Sequence, residues 1–195
     1  MYNGIEIIGE VKKRSPFGFE SSHSLEELFE IADSLPEVDM IAIHTHEDFG
    51  GAFEHITWAK KRTQKPILAK GYHETDDLLD RTFDAGADLA LVVGRRPRKY
   101  RKNLLIEPRT FSDLIFMSVY LPRHIKIVWN RRDLITGRPK PETFLQARTK
   151  WPVGWLCQAS FIQSVEDMDP SADAVLVGTH LPEFAESIRI AKQKT

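Results

Sequence analysis

The sequence predicts an α/β protein built as a (β/α)8 TIM barrel in trimmed form. Short runs rich in Val, Ile and Leu alternate with amphipathic stretches along the whole chain. Eight of these runs occur, each too apolar for a sheet with one wet face, which points to parallel strands covered on both sides. Eight βα units leave a closed barrel or an open doubly wound sheet, and the regular eight-fold spacing favours the barrel. The chain has 195 residues, against about 250 for a typical barrel.

The strand candidates are "IEIIGEVK", "VDMIAIHT", "KPILAK", "ADLALVVG", "NLLIEP", "HIKIVWN", "PVGWLCQ" and "ADAVLVG". The first helix candidate, "SLEELFEIADSL", starts with Ser24 and has Glu27 three residues later, the spacing of a capping box. Five more follow: "GAFEHITWAKKRT", "ETDDLLDRTFDAGA", "TFSDLIFMSVYL", "PETFLQARTKW" and "LPEFAESIRIAKQK". "DAGAD" reads as a helix end with glycine in the left-handed position. Only "RRPRKYRKN" separates the fourth and fifth runs, too little for a crossover helix. That fourth helix is expected to be short or absent, and residues 1–195 are expected to form a single domain.

Composition narrows the function classes. Hydrophobic residues make up 42% and charged residues 28%, and net charge is −1, so no global basic field argues for nucleic acid or a membrane surface. Cys157 is the sole cysteine, which excludes a disulfide within the chain and fits a reducing, cytoplasmic setting. "MYNGIEIIGE" lacks the basic start of a signal peptide. No apolar run approaches the roughly 20 residues of a membrane span.

In a barrel, side chains at the C-terminal ends of the strands share one mouth, where chemistry is done. Glu10 and Lys12 lie two apart and so project from one face of the first strand. The third strand ends in Lys70 and the fifth in Glu107. The sixth ends in Asn130, followed by Arg131 and Arg132, and the eighth in Gly178, Thr179 and His180. Any one of these alone reads as a solvated charge. Their recurrence at one end points to a site for something ionic, because converging buried charges are costly unless paired. "VGTH" fits an ordinary strand-to-helix turn and equally a phosphate site. His44, His46 and His73 have no ligand spacing, so no metal is expected. "RRPRKYRK", residues 95–102, reads as a solvated basic loop rather than a site for an anionic partner.

Six of these segments, in order, resemble the indole-3-glycerol phosphate synthase family of tryptophan-pathway barrels. "GEVKKRSPFG" is similar to its first-strand signature E-x-K-x-x-S-P through Glu10, Lys12, Ser15 and Pro16. "HTHEDFGGAFEHI" is similar to the second-strand loop, with Phe49, Gly50 and Gly51. "PILAKGYH" carries Lys70, "LLIEP" Glu107, and "WNRRDLITG" the N-x-R-D-L motif through Asn130, Arg132, Asp133 and Leu134. "ADAVLVGTHL" is similar to the last strand and phosphate turn.

The resemblance implies a cofactor-free lyase acting on a phosphorylated small molecule, carboxyphenylamino-deoxyribulose phosphate. It closes a pyrrole ring with loss of carbon dioxide and then water. Lys70 would be the general acid at the ketone. Lys12 would pair with the substrate carboxylate and donate a proton in dehydration, and Glu107 would transfer protons on the ring-nitrogen side. Glu10 and Asn130 would orient lysine and sugar hydroxyls, Arg132 would add positive field, and Phe49 would wall the aromatic ring. Ser15, Ser160, Gly178 and Thr179 would hold phosphate. Whether the chain forms a homo-oligomer or meets a tryptophan-pathway partner is left open.

The sequence also departs from the pattern. The family's E-S-G at the end of strand seven corresponds to "CQASF", with Gln158 in the place of the glutamate and Ala159 or Ser160 in that of the serine. "KDF" has become "KGY" at Lys70 to Tyr72, and the helical extension ahead of strand one has no counterpart. These departures leave room for a related phosphosugar enzyme with another substrate, or for a phosphate-ligand binding relic without catalysis.

Overall fold

The computed structural model describes residues 4–98 and 101–193. Eight parallel strands close into a barrel in sequence order. They are β1 (Glu6–Val11), β2 (Val38–His44), β3 (Ile67–Lys70), β4 (Leu89–Val93), β5 (Leu104–Glu107), β6 (Lys126–Asn130), β7 (Leu156–Ala159) and β8 (Ala174–Val177). Closure is made by β8 on β1, with Gly9 opposite Val177. Six helices lie between them: α1 (Leu25–Ser34), α2 (Phe53–Lys60), α3 (Asp76–Asp84), α4 (Phe111–Tyr120), α5 (Phe144–Lys150) and α6 (Leu181–Gln193). Four of these helices, α1, α3, α4 and α5, start at a Ser or Thr cap. Ser24 and Glu27 form the capping box of α1, and Thr110 with Asp113 and Thr143 with Gln146 do the same for α4 and α5. Gly86, at φ +101°, takes the left-handed position after α3.

Alternation along the strands sorts side chains into two layers. Ile8, Met40, Ala42, Leu68, Leu91, Leu105, Val128, Cys157, Ala174 and Leu176 fill the barrel interior. Their neighbours in sequence face outward, under the helices, in two further clusters. The apolar runs look continuous because both faces of every strand are buried.

Two crossovers lack an α-helix. Between β4 and β5 there is a 3-10 turn at Arg101–Asn103, where the sequence expects a missing helix. Between β7 and β8 there is likewise only a 3-10 turn, Val165–Asp167. Of the basic run 95–102, Lys99 and Tyr100 lie outside the described residues. Arg95 is no loose cation: its Nε donates to the His73 carbonyl at 2.7 Å and its Nη1 to Asp76 at 2.7 Å.

Candidate active site

The strand ends open into a cavity of about 920 Å³, counted out to its mouth. Glu10, Lys12, Lys70, Glu107, Asn130 and Arg132 all line it, together with Ser15, Phe49, Ser160, Gly178 and Thr179. Parity explains the convergence. Glu10 follows Ile8 on the inner face of β1, and Lys70 follows Leu68 on that of β3. Glu107 follows Leu105 on β5, and Asn130 follows Val128 on β6.

Glu10 is the hub and is only 2% exposed. Its Oε1 accepts from Lys70 Nζ at 2.8 Å and from His44 Nε2, while Oε2 lies 3.8 Å from Lys12 Nζ. Burial alone would push its pKa up. Lys12, Lys70 and His44 outweigh burial and hold it well below the usual carboxylate range. Lys12 responds oppositely: burial lowers its pKa, only partly offset by Glu10. Burial also acts against charge on Lys70, but Glu10 and Glu107 together raise its pKa. Lys70 is therefore a firm cation, and Lys12 the more weakly basic of the two.

Glu107 sits across the mouth, 1% exposed. Asn130 Nδ2 donates to its Oε1 at 2.9 Å. Burial raises its pKa, with Lys70 and the Asn130 bond pulling the other way. Asn130 Oδ1 in turn accepts from the Arg132 backbone N–H at 2.9 Å and from Ser160 Oγ at 2.8 Å. The Arg132 guanidinium lies over the Phe161 ring at 4.4 Å, and its Nη1 donates to the Gly137 carbonyl. Ser160 and Phe161 carry positive φ values of 70° and 59°, a strained turn at the rim of a cavity.

One end of the cavity is built from backbone and small side chains. Ser15 Oγ accepts from the Phe17 N–H at 3.3 Å. Gly178, Thr179 and His180 lead into α6, whose N-terminus carries partial positive charge. Gly178 has a second, steric role. A Cβ there would fall 1.8 Å from Glu10 Oε2, so the hub carboxylate occupies the space that any other residue would fill.

One sequence expectation is corrected. Gln158 does not line the cavity. It lies between Cys157 and Ala159, which face the interior, and so points outward. Its Nε2 donates to the Asp167 carbonyl at 2.9 Å, and its Oε1 accepts from the Asp169 N–H at 2.8 Å. Successive residues of a strand face opposite sides, so beside the inward Cys157 the side chain of Gln158 is turned away from the cavity. Ala159 holds the inward position at the end of β7. Ser160 does line the cavity, with its hydroxyl committed to Asn130.

The sequence also points less directly to His44. Met40 and Ala42 face the interior, and the same alternation carries His44 inward, beside Lys70 on the next strand. Its ring stacks on Phe49 with centroids 4.3 Å apart and planes 14° from parallel. Burial lowers its pKa from 6.5 to about 4, against the pull of Glu10. The ring is therefore neutral near pH 7, and because Glu10 is ionised, Nε2 carries the proton. Among the described residues no group of three His, Cys, Asp or Glu side chains could hold a metal ion. No helix there is long and apolar enough to cross a membrane.

No known family profile matches the chain. Individual proteins do. The indole-3-glycerol phosphate synthase of Sulfurisphaera tokodaii is 30% identical over 87 residues, covering 45% of this chain and 35% of that enzyme. That of Picrophilus torridus is 26% identical over 154 residues, 72% of this chain and 60% of the enzyme. That of Thermoplasma volcanium is 29% identical over 87 residues, 45% and 36% respectively. The matched stretches thus span between about a third and 60% of the length of these relatives. Among solved structures, monomers of the dimeric phosphoribosylanthranilate isomerase from Thermotoga maritima superpose with a TM-score of 0.64. That match has 12% identity and covers 96% of this chain and 98% of that one. It speaks for the fold alone. Fold and sequence together make the chain a trimmed (β/α)8 barrel similar to the indole-3-glycerol phosphate synthases.

Proposed function

We propose that the chain is a carboxy-lyase of the indole-3-glycerol phosphate synthase type. Its substrate would be carboxyphenylamino-deoxyribulose phosphate. The observation that carries this reading is the convergence of Lys12, Lys70 and Glu107 on one buried mouth, ordered around Glu10.

The chemistry assigns the groups different duties. Ring closure joins the carboxylate-bearing aryl carbon to the ketone carbon, and the ketone oxygen takes a proton. Lys70, kept cationic by two carboxylates, supplies that proton as general acid. Lys12, loosely held at 3.8 Å from Glu10, pairs with the substrate carboxylate until carbon dioxide leaves and the ring regains aromaticity. Dehydration then expels the former ketone oxygen as water, with Lys12 protonating it and Glu107 accepting a proton on the ring-nitrogen side. A carboxylate whose pKa burial raises is a stronger base than an ordinary one, which suits that task. Phe49 and Leu134 offer apolar wall to the aromatic ring, and Ser15, Gly178 and Thr179 face the phosphate. The lysines supply the electrophilic groups, so the scheme uses no cofactor.

The end of β7 carries Gln158 and Ala159 and no carboxylate, where the family resemblance calls for an acid. That observation favours a second reading, in which the same cavity holds a related phosphosugar without completing this reaction. Purified protein mixed with carboxyphenylamino-deoxyribulose phosphate should produce the fluorescent indole product. Binding without product would replace the lyase by the second reading, and absence of binding would overturn both.

A further inference from the structure

We propose that His44 is a positioning residue, which pins the Glu10 carboxylate so that Lys12 stays free to meet a ligand anion. Glu10 has two oxygens and three nitrogen neighbours. Lys70 and His44 Nε2 both engage Oε1, and Lys12 is left 3.8 Å from Oε2. The terminal torsion of a glutamate is broad and roughly two-fold. Lys70 is a flexible partner on Oε1, so without the rigid ring beside it the carboxylate would turn to share its oxygens between both ammonium groups and draw Lys12 into a closed pair. His44 prevents this because its own ring is fixed. It ends β2 in register with Lys70, is 3% exposed, and is clamped face to face against Phe49.

The proton placement agrees with this geometry. Nε2 must donate to an ionised carboxylate, so Nδ1 is left as a bare acceptor, and Nδ1 has no partner in its buried setting. The charged groups facing His44 are Glu10 from β1, Lys12 just after it and Lys70 from β3. Those facing Lys12 are Glu10, Lys70 and Arg132, the last from the segment after β6. A neutral histidine adds no charge to this set. Its effect on Lys12 runs through where it holds Glu10.

The test is a lysine Nζ titration by 13C/15N NMR on the full chain, comparing wild type, His44→Leu and His44→Gln. In His44→Leu, Glu10 closes on Lys12, whose titration should rise by about one pH unit. Glutamine can donate its amide N–H to Glu10 Oε1, so His44→Gln should restore the wild-type value. An unshifted Lys12 in His44→Leu, or a glutamine variant that behaves like the leucine variant, overturns the proposal. Should the leucine variant not fold, ring 15N shifts of wild-type His44 decide: protonated Nε2 with bare Nδ1 upholds it, and the opposite tautomer overturns it. The lyase reading bears only on a kinetic arm, in which His44→Leu raises KM about tenfold while kcat moves less. A shifted Lys12 in a protein without turnover upholds the positioning role and overturns the lyase reading alone.

Discussion

Glu10 and Glu107 share a cavity, and both are almost fully withdrawn from water, yet they are driven in opposite directions. Glu10 has three nitrogen partners and stays ionised below the usual range. Glu107 has one neutral amide in contact and two more distant lysines, Lys70 and Lys140, and it holds its proton more tightly than usual. Burial is the same for both, so the number of cations in contact decides. Two carboxylates whose environments push them apart can serve one reaction as anchor and as base.

The sharpest way to break this comparison is at Lys70, which stands between them. Lys70→Ala should lower turnover by ~10²-fold or more, the scale of a lost general acid. Full activity in that variant would remove Lys70 from the mechanism. Glutamine at each carboxylate separates anchor from base. Glu107→Gln should lower turnover by about 10²-fold while costing only about 1 kcal/mol in stability, since a glutamine oxygen still accepts from Asn130. Glu10→Gln should instead cost about 3 kcal/mol in chemical denaturation, because Lys12 and Lys70 lose their counter-ion. Equal stability losses would show that the two sites are not distinct.

Acid should sharpen the contrast, through groups of opposite sign. His44 titrates at about 4 when folded against 6.5 otherwise, so the unfolded chain takes up its proton first. Its contribution to stability therefore falls as pH drops from about 6.5 to about 4. Glu10, with its lowered pKa, keeps its contribution above the ordinary carboxylate value and loses it only in stronger acid. Glu107, with its raised pKa, contributes fully below that value and loses the contribution as pH rises through its folded pKa. His44→Gln should flatten the stability–pH curve between 4 and 6.5, and an unchanged slope would show that another group titrates there. The smallest effect belongs to Gln158. Gln158→Ala removes two hydrogen bonds to the loop after β7. It should cost about 1–3 kcal/mol with no change in ligand affinity, and a change in affinity would return it to the site.

Much of the site could be read from the chain because charge is conspicuous at the end of an apolar run. Glu10, Lys12, Lys70, Glu107, Asn130 and Arg132 interrupt runs of Val, Ile and Leu, and alternation sends them inward. His44 was harder to place because histidine carries no fixed charge and also suits a core. Its parity with Met40 and Ala42 was the available signal. At β7 the phase is hidden, since Cys157, Gln158 and Ala159 are all buried and no charge marks the inner face. The steric role of Gly178 depends on where the Glu10 carboxylate lies across the barrel, which no stretch of one strand reveals. The fourth crossover was short enough on paper to announce its missing helix. The seventh was long enough to have held one.

That fourth crossover also bears on where the barrel breathes. Along most of the wall, a strand opens only if a packed helix lifts with it. On β5, Leu104 and Ile106 line a recess together with Arg96 and Pro97 of the connecting loop, and a loop releases a strand more readily than a helix does. Amide exchange should therefore run ahead of the helix-covered wall along this seam. The seam ends at Glu107, so the base would sit on the part of the wall that opens first.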